Sequence, residues 1–285
     1  MKISAIIPVF NSVNTLERAI NSLLIQPEIN EVFIVDDGST DGSFELAKKL
    51  DGKHSLVKVL AHEGNVNKGA SASRNLGLKY CSNQWIQFLD ADDELLPAKI
   101  SKNLLVLNPS SSILVGNSVY EKDGIKYRRH YWINKALGLL VTRLGNTCGN
   151  LWNKESLMKI GGWNENLSSS QEYDLIFRLI QINPDISFCK DYLSIIHEIP
   201  GSITRKESLN KQRIINGLNL RQSIKEYLIK NNQFGLKERI FYNGIIGTIS
   251  QKYNLNENYS KPYYLIFKIY KFVSDRFLNQ EFSMN

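Results

Sequence analysis

Cysteine is scarce in these 285 residues, and the three present, Cys81, Cys148 and Cys189, are widely separated. An odd, scattered set supports neither a disulfide framework nor a zinc knuckle, and it fits a reducing, cytoplasmic setting. No apolar run approaches the ~18 residues that a membrane-crossing helix needs. The opening MKISAIIPVF has no long apolar core with a small-residue cleavage site, so no signal peptide is expected. A deficit of apolar residues is also missing: at 42% hydrophobic and 22% charged, the composition excludes a wholly disordered chain.

What is abundant is positive charge, with a formal net of +7, but it is unevenly spread. Residues 1–100 carry 10 basic against 13 acidic side chains, residues 101–200 carry 11 against 9, and residues 201–285 carry 14 against 6. A basic chain invites a nucleic-acid reading. Here the excess lies in the last third without a recognition motif, so no nucleic-acid partner is expected.

The first hundred residues alternate between strand and helix patterns. Ile3–Val9 is a short, nearly all-apolar run of the kind buried on both faces of a sheet. Asn14 and Glu17 form a capping-box-like start to a helix that ends before Pro27. Further strands are expected at Glu31–Asp36, Leu56–Ala61 and Trp85–Leu89, with helices at Phe44–Leu50 and Gly69–Tyr80. Such alternation implies a mostly parallel sheet flanked by helices, with ligands outside the carboxyl ends of its strands. Two acidic groups fall at such ends: Asp36-Asp37, and Asp90, Asp92 and Asp93.

Aspartates after strands are ordinary turn and cap residues. Three carboxylates within four residues nevertheless repel one another unless a cation lies among them. Oxygen ligands without nearby Cys or paired His suit Mg²⁺ or Mn²⁺, which bind through one or two carboxylates and complete their shell with substrate phosphates.

The segments AIIPVFN (5–11), VDDGSTDGS (35–43), NKGASASRNLG (67–77), FLDADD (88–93) and GGWNE (161–165) with SQEYDLIFRL (170–179) resemble bacterial glycosyltransferase family 2 in order and spacing. The resemblance covers roughly residues 1–200 and implies the GT-A (Rossmann-like) fold, with a catalytic domain over 1–205. Within it, residues 1–110 would hold the nucleotide sugar and 111–205 the acceptor, leaving 206–285 as a helical, basic C-terminal region. The implied activity is inverting transfer of a single sugar from a nucleotide diphosphate donor, UDP above all, to a saccharide or lipid-linked saccharide acceptor in surface-polysaccharide or glycolipid assembly.

Carried over by position, Pro8 and Phe10 would line the nucleotide pocket and Asp37 would hydrogen-bond the base. Lys68 and Arg74 would meet phosphate, with a solvated helix face as the alternative. Asp90 would lie near the ribose or sugar and Asp92 would ligate the metal, with Asp93 able to share it. Gln171-Glu172 departs from the family's Glu-Asp pair. Glu172 retains a carboxylate and is the expected base, Gln171 would bind acceptor, and Asp174 is the competing base unless it braces Arg178 one turn on. The departure keeps open a catalytically silent nucleotide-sugar-binding partner of an assembly complex.

A weaker match at SIIHEIPGSIT (194–204) makes His197 a second metal or diphosphate ligand, against the alternative of a packed or exposed histidine. Trp152 and Trp163 would bracket the acceptor cleft, with core packing as the alternative. Residues 111–132 are expected to form a hairpin turning at Asp123-Gly124. Helices are expected over 207–230, 236–251 and 260–277. In the last, Tyr263, Tyr264, Ile266, Phe267, Ile269, Tyr270 and Phe272 alternate with Lys261, Lys268, Lys271 and Arg276. That pattern suits either peripheral association with the inner face of the cell membrane or packing on the catalytic domain.

Overall fold

The computed structural model describes residues 1–198 and 210–277. The chain begins β1 (Ile3–Val9), α1 (Leu16–Leu24), β2 (Ile29–Asp36), α2 (Ser43–Lys53), β3 (Val57–Ala61), a 3-10 turn (Glu63–Asn65), α3 (Ala70–Tyr80) and β4 (Trp85–Phe88). It continues through β5 (Glu94–Leu95), α4 (Lys99–Val106), β6 (Ile113–Lys122), β7 (Ile125–Arg129), α5 (Lys135–Leu140), β8 (Leu151–Asn153) and α6 (Lys154–Lys159). Then follow α7 (Gln171–Ile182), β9 (Ile186–His197), α8 (Asn210–Lys230), α9 (Leu236–Tyr253) and α10 (Lys261–Phe277).

Two compact units emerge, interleaved along the chain. The first takes Met1–His130, Gly145–Asn166 and the stretch from Asp174 through β9. The second takes Tyr131–Leu144, Leu167–Tyr173 and the C-terminal helices.

In the first unit the strands form one sheet in the order β3-β2-β1-β4-β8-β6-β9-β5, with β7 paired to β6. The four strands of the alternating region are parallel, as the pattern predicts. Beyond β4 the sheet is mixed: β8 runs antiparallel to β4 and β6, while β6 and β9 are parallel. Every residue of β1 is buried, which is why that segment reads as one apolar run. Chain order reverses at β1, with β2 and β3 on one side and β4 on the other. The carboxyl ends of β1 and β4 therefore flank a switch point, where open α/β sheets bind ligands.

Pro8 is compatible with this central strand. Pairing of β1 with β4 ends at Ile6 and Phe88, two residues short of the missing N–H. The capping box expected at Asn14 and Glu17 does not form. Thr15 is the N-cap without a side-chain bond, and the Ser12 carbonyl instead accepts the N–H groups of Thr15 at 3.1 Å and Leu16 at 3.0 Å. The expected hairpin is β6–β7, whose turn residues Asp123 and Gly124 have φ of 51° and 79°.

Behind β4, the Lys99 side chain is fully buried and its ammonium donates to Gln87 Oε1. Burial pulls its pKa down to about 7. The unfolded chain keeps an ordinary lysine, so between pH 7 and about 10 it binds more protons than the native state. Stability should therefore rise over pH 7–9 by roughly 1 kcal/mol per pH unit from this group. In Lys99→Met that rise should vanish, as thermal or urea unfolding across the same pH range would show.

In the second unit α10 packs on α9 through glycines. A Cβ at Gly244 would lie 2.0 Å from the Phe267 side chain, and one at Gly247 2.6 Å from Tyr264. Phe241 meets Phe267 and Tyr270 edge-on at 5.4 and 5.2 Å between centroids. Among the described residues no helix is long and apolar enough to cross a membrane.

Candidate active site

At the carboxyl ends of β1, β2 and β3, backbone and carboxylates are laced together. Asn11 takes a left-handed conformation, donates its N–H to Ser39 Oγ at 3.1 Å and accepts from the Thr40 N–H at 2.8 Å. Asp36, wholly buried, accepts from the Gly38 and Ser39 N–H groups at 3.0 and 3.1 Å. Asp37, 3% exposed, accepts from the Lys68 N–H at 2.7 Å and the Gly69 N–H at 2.9 Å. Gly38 has φ of 78°, and a Cβ there would lie 2.9 Å from the Asn65 carbonyl oxygen, so only glycine fits this crossing. Phe10 is 41% exposed beside it, whereas Pro8 is buried in the strand.

The loop carrying Lys68 feeds directly into α3. Lys68 is exposed just before the first turn, where free backbone N–H groups and the helix dipole favour an anion. Arg74, one turn into the helix, is 6% exposed. Its guanidinium is 2.5 Å from Asp90 Oδ1 and lies 4.5 Å from the Trp163 ring centroid.

Past β4 the DADD turn is held from several sides. The Asp93 N–H donates to the Asp90 carbonyl at 3.0 Å, and Arg18 of α1 donates to the Asp92 carbonyl at 2.5 Å. Asp93 is buried and accepts from the His197 N–H at 3.1 Å. Burial, then the charges of Asp90 and Asp92, push its carboxyl well above the usual range. Burial likewise raises Asp92 to about 6, with the neighbouring Asp90 charge adding to it.

The donor set bears directly on the expected cation. Among the described residues no group of three His, Cys, Asp or Glu side chains is arranged to hold a metal alone. Asp90 is engaged by Arg74, and His197 is engaged too, its Nε2 3.1 Å from Glu94 and its Nδ1 3.9 Å from Glu121. Asp92 makes no ion pair among the described residues and carries an ionisation penalty that a cation would relieve. A hard cation bound through Asp92, with the rest of its shell from a diphosphate, fits these residues. The Gly201-Ser202 turn that accompanies His197 in the motif lies outside the described residues.

The two tryptophans stand elsewhere. Trp152 is fully buried and Trp163 is 2% exposed, and both pack edge-on or tilted against Phe88 and each other. No ring face is available to a sugar, so the core-packing alternative describes them and the cleft expectation is corrected. Gly161 and Gly162 explain the GGWNE segment: both have positive φ, and a Cβ at Gly162 would lie 2.4 Å from Asn75 Oδ1. Asn75 Oδ1 accepts from the Trp163 N–H at 2.8 Å, and its Nδ2 donates to Glu165 at 2.7 Å.

Gln171 and Glu172 open α7 within the second unit. Gln171 donates to the Leu167 carbonyl, and Glu172 is half-buried. Asp174 is committed to Arg178, 2.8 Å away, which also donates to the carbonyls of Ile160 and Gly162 at 2.9 Å. The bracing alternative for Asp174 is thus what the geometry has. Sequence reasoning missed Arg18 and Asn75, which act on backbone far along the chain and leave no local spacing signal.

The comparisons with known proteins agree with this geometry. The family model described as "Glycosyl transferase family 2" matches residues 4–165. The chain is similar to a GalNAc(5)-diNAcBac-PP-undecaprenol beta-1,3-glucosyltransferase of Campylobacter jejuni, 32% identical over 124 residues, 43% of this chain and 40% of that one. It spans between a fifth and two fifths of the length of the curated relatives it first matches. Among solved structures, TarS of S. aureus in complex with UDP-GlcNAc superposes with a TM-score of 0.62 at 18% identity, covering 88% of this chain and 81% of TarS. The mannosyltransferase PcManGT of Pyrobaculum calidifontis in complex with GDP-Man and Mn²⁺ gives 0.62 at 12% identity, covering 96% and 80%. These two likenesses establish a shared GT-A architecture. With more than half of its length matched by the family model and that architecture under it, the chain belongs to glycosyl transferase family 2.

Proposed function

We propose that this chain transfers a single sugar from a nucleotide diphosphate sugar, UDP-linked, to a hydroxyl of a saccharide or lipid-linked saccharide acceptor, with inversion and with Mn²⁺ or Mg²⁺. The observation that carries this reading is the Asp90–Asp92 turn at the sheet's switch point. One of its carboxylates is neutralised by Arg74, and the other is raised to about 6 with no ion-pair partner among the described residues. The Campylobacter relative, named for an undecaprenol-diphosphate acceptor, supports the lipid-linked class, and the complexes of TarS and PcManGT support a nucleotide sugar and a divalent cation.

The proposed division of labour follows from the side chains. Phe10 offers an exposed ring to the nucleoside, and Asp37 holds the 68–69 backbone against which the base is read. Lys68 and the first turn of α3 receive phosphate oxygens. Asp92 would hold the cation, which when bound would neutralise charge on the departing diphosphate. Arg74 fixes Asp90 beside Asp92. Glu172 takes the proton of the acceptor hydroxyl as its oxygen bonds to the anomeric carbon and the bond to the nucleoside diphosphate breaks. Gln171 would orient the acceptor.

A thermal-shift series of UDP-, dTDP- and GDP-sugars with and without Mn²⁺ tests the reading, because a ligand of the native state raises its melting temperature. One nucleotide should stand out, and only with metal. Equal shifts from all nucleotides, or shifts indifferent to Mn²⁺, would overturn the site assignment.

A further inference from the structure

The outward side of α10 is more apolar than its packing requires. Phe267 and Tyr264 point to the glycines of α9, yet Leu265, Ile266, Ile269 and Phe272 on the other side are 60, 45, 58 and 62% exposed. Their spacing makes one continuous stripe across two turns. Lys261 and Lys268 fall in register with Leu265 and Phe272 along its border. No acidic residue lies between Lys261 and Phe272.

We propose that this face of α10 docks on a bilayer of anionic phospholipid, with Leu265, Ile266 and Ile269 entering the headgroup boundary and the lysines meeting lipid phosphates. The chemistry matches on both counts: apolar side chains gain by leaving water, and Lys261 and Lys268, with no acid within a turn of them on the helix, are drawn to a negative surface. A second copy of the chain is a poorer occupant, since a two-fold pairing of this stripe sets its bordering lysines against one another. Vesicle binding requires neither donor nor metal, so it stands or falls apart from sugar transfer.

The test is co-sedimentation of the full chain with phosphatidylcholine vesicles that contain or lack phosphatidylglycerol. Binding to the anionic vesicles alone, weakening as salt rises, is expected. Changing Lys261 and Lys268 to Gln should lower the partition coefficient about fivefold per lysine. Leu265→Ser with Ile269→Ser, at constant charge, should lower it about tenfold per residue. Neither change should move the melting temperature, because these side chains are exposed. Equal binding to neutral vesicles, no binding, or a dimer by light scattering that the Leu265→Ser, Ile269→Ser variant dissolves would overturn the proposal.

Discussion

Asp92→Ala is expected to lower kcat/KM by about 10³-fold, because a cation neutralising a departing diphosphate contributes several kcal/mol to the transition state. The same change should leave the metal-free protein at least as stable as the wild type at pH 7.5. The sign follows from the raised pKa of about 6. A carboxyl that holds its proton more tightly when folded loses stability as pH climbs from about 4 to 6, and above that the ionised group is a standing cost. Alanine removes the cost. Melting curves with and without Mn²⁺ should therefore show a metal-dependent increment in the wild type and none in the variant. Asp93→Asn is the control: burial raises the Asp93 carboxyl too, and an Asn oxygen can still accept the His197 N–H, so the variant should be no less stable and should keep the Mn²⁺ increment. If the increment survives Asp92→Ala and disappears with Asp93→Asn, the ligand is Asp93.

Glu172→Gln should lower kcat by 10²–10⁴-fold with little change in the KM for donor, the signature of a lost proton acceptor. The amide keeps the shape and hydrogen-bonding reach of the carboxylate and cannot take the proton. Asp174→Asn should act differently. It breaks the ion pair that lets Arg178 hold the carbonyls of Ile160 and Gly162, so its effect belongs to stability first. Full transfer by Glu172→Gln together with none by a well-folded Asp174→Asn would reverse the assignment. A wild type that binds donor and metal but turns over no acceptor would make the chain a nucleotide-sugar-binding partner instead.

Much of the fold is legible because it is written in local patterns. The all-apolar Ile3–Val9 run, the glycines of the β2–α2 turn and the Asp123-Gly124 hairpin each carry their physics within a few residues. The capping box failed because an Asn and a Glu three apart state only a potential. Ser12 already turned its carbonyl toward the α1 N–H groups, and that depends on where β1 delivers the chain. The mixed half of the sheet was hidden for a related reason: β8 and β5 have three and two residues, too short for any period. Trp152 and Trp163 show the limit at the site. An indole beside a motif reads as a ligand platform or as core, and only burial separates the two. The interleaving of 131–144 and 167–173 into the second unit is likewise a long-range fact with no composition signal at its boundaries.

The Asp37 carboxylate has a consequence for redesign. It is spent on the Lys68 and Gly69 N–H groups, and the Gly38 crossing beneath it admits no side chain. Substituting Asp37 to alter donor preference would release the segment that presents Lys68 before any new base could be read. Donor exchange in this scaffold is better sought at Phe10, whose ring is exposed at the rim and bears no part of the loop's anchorage.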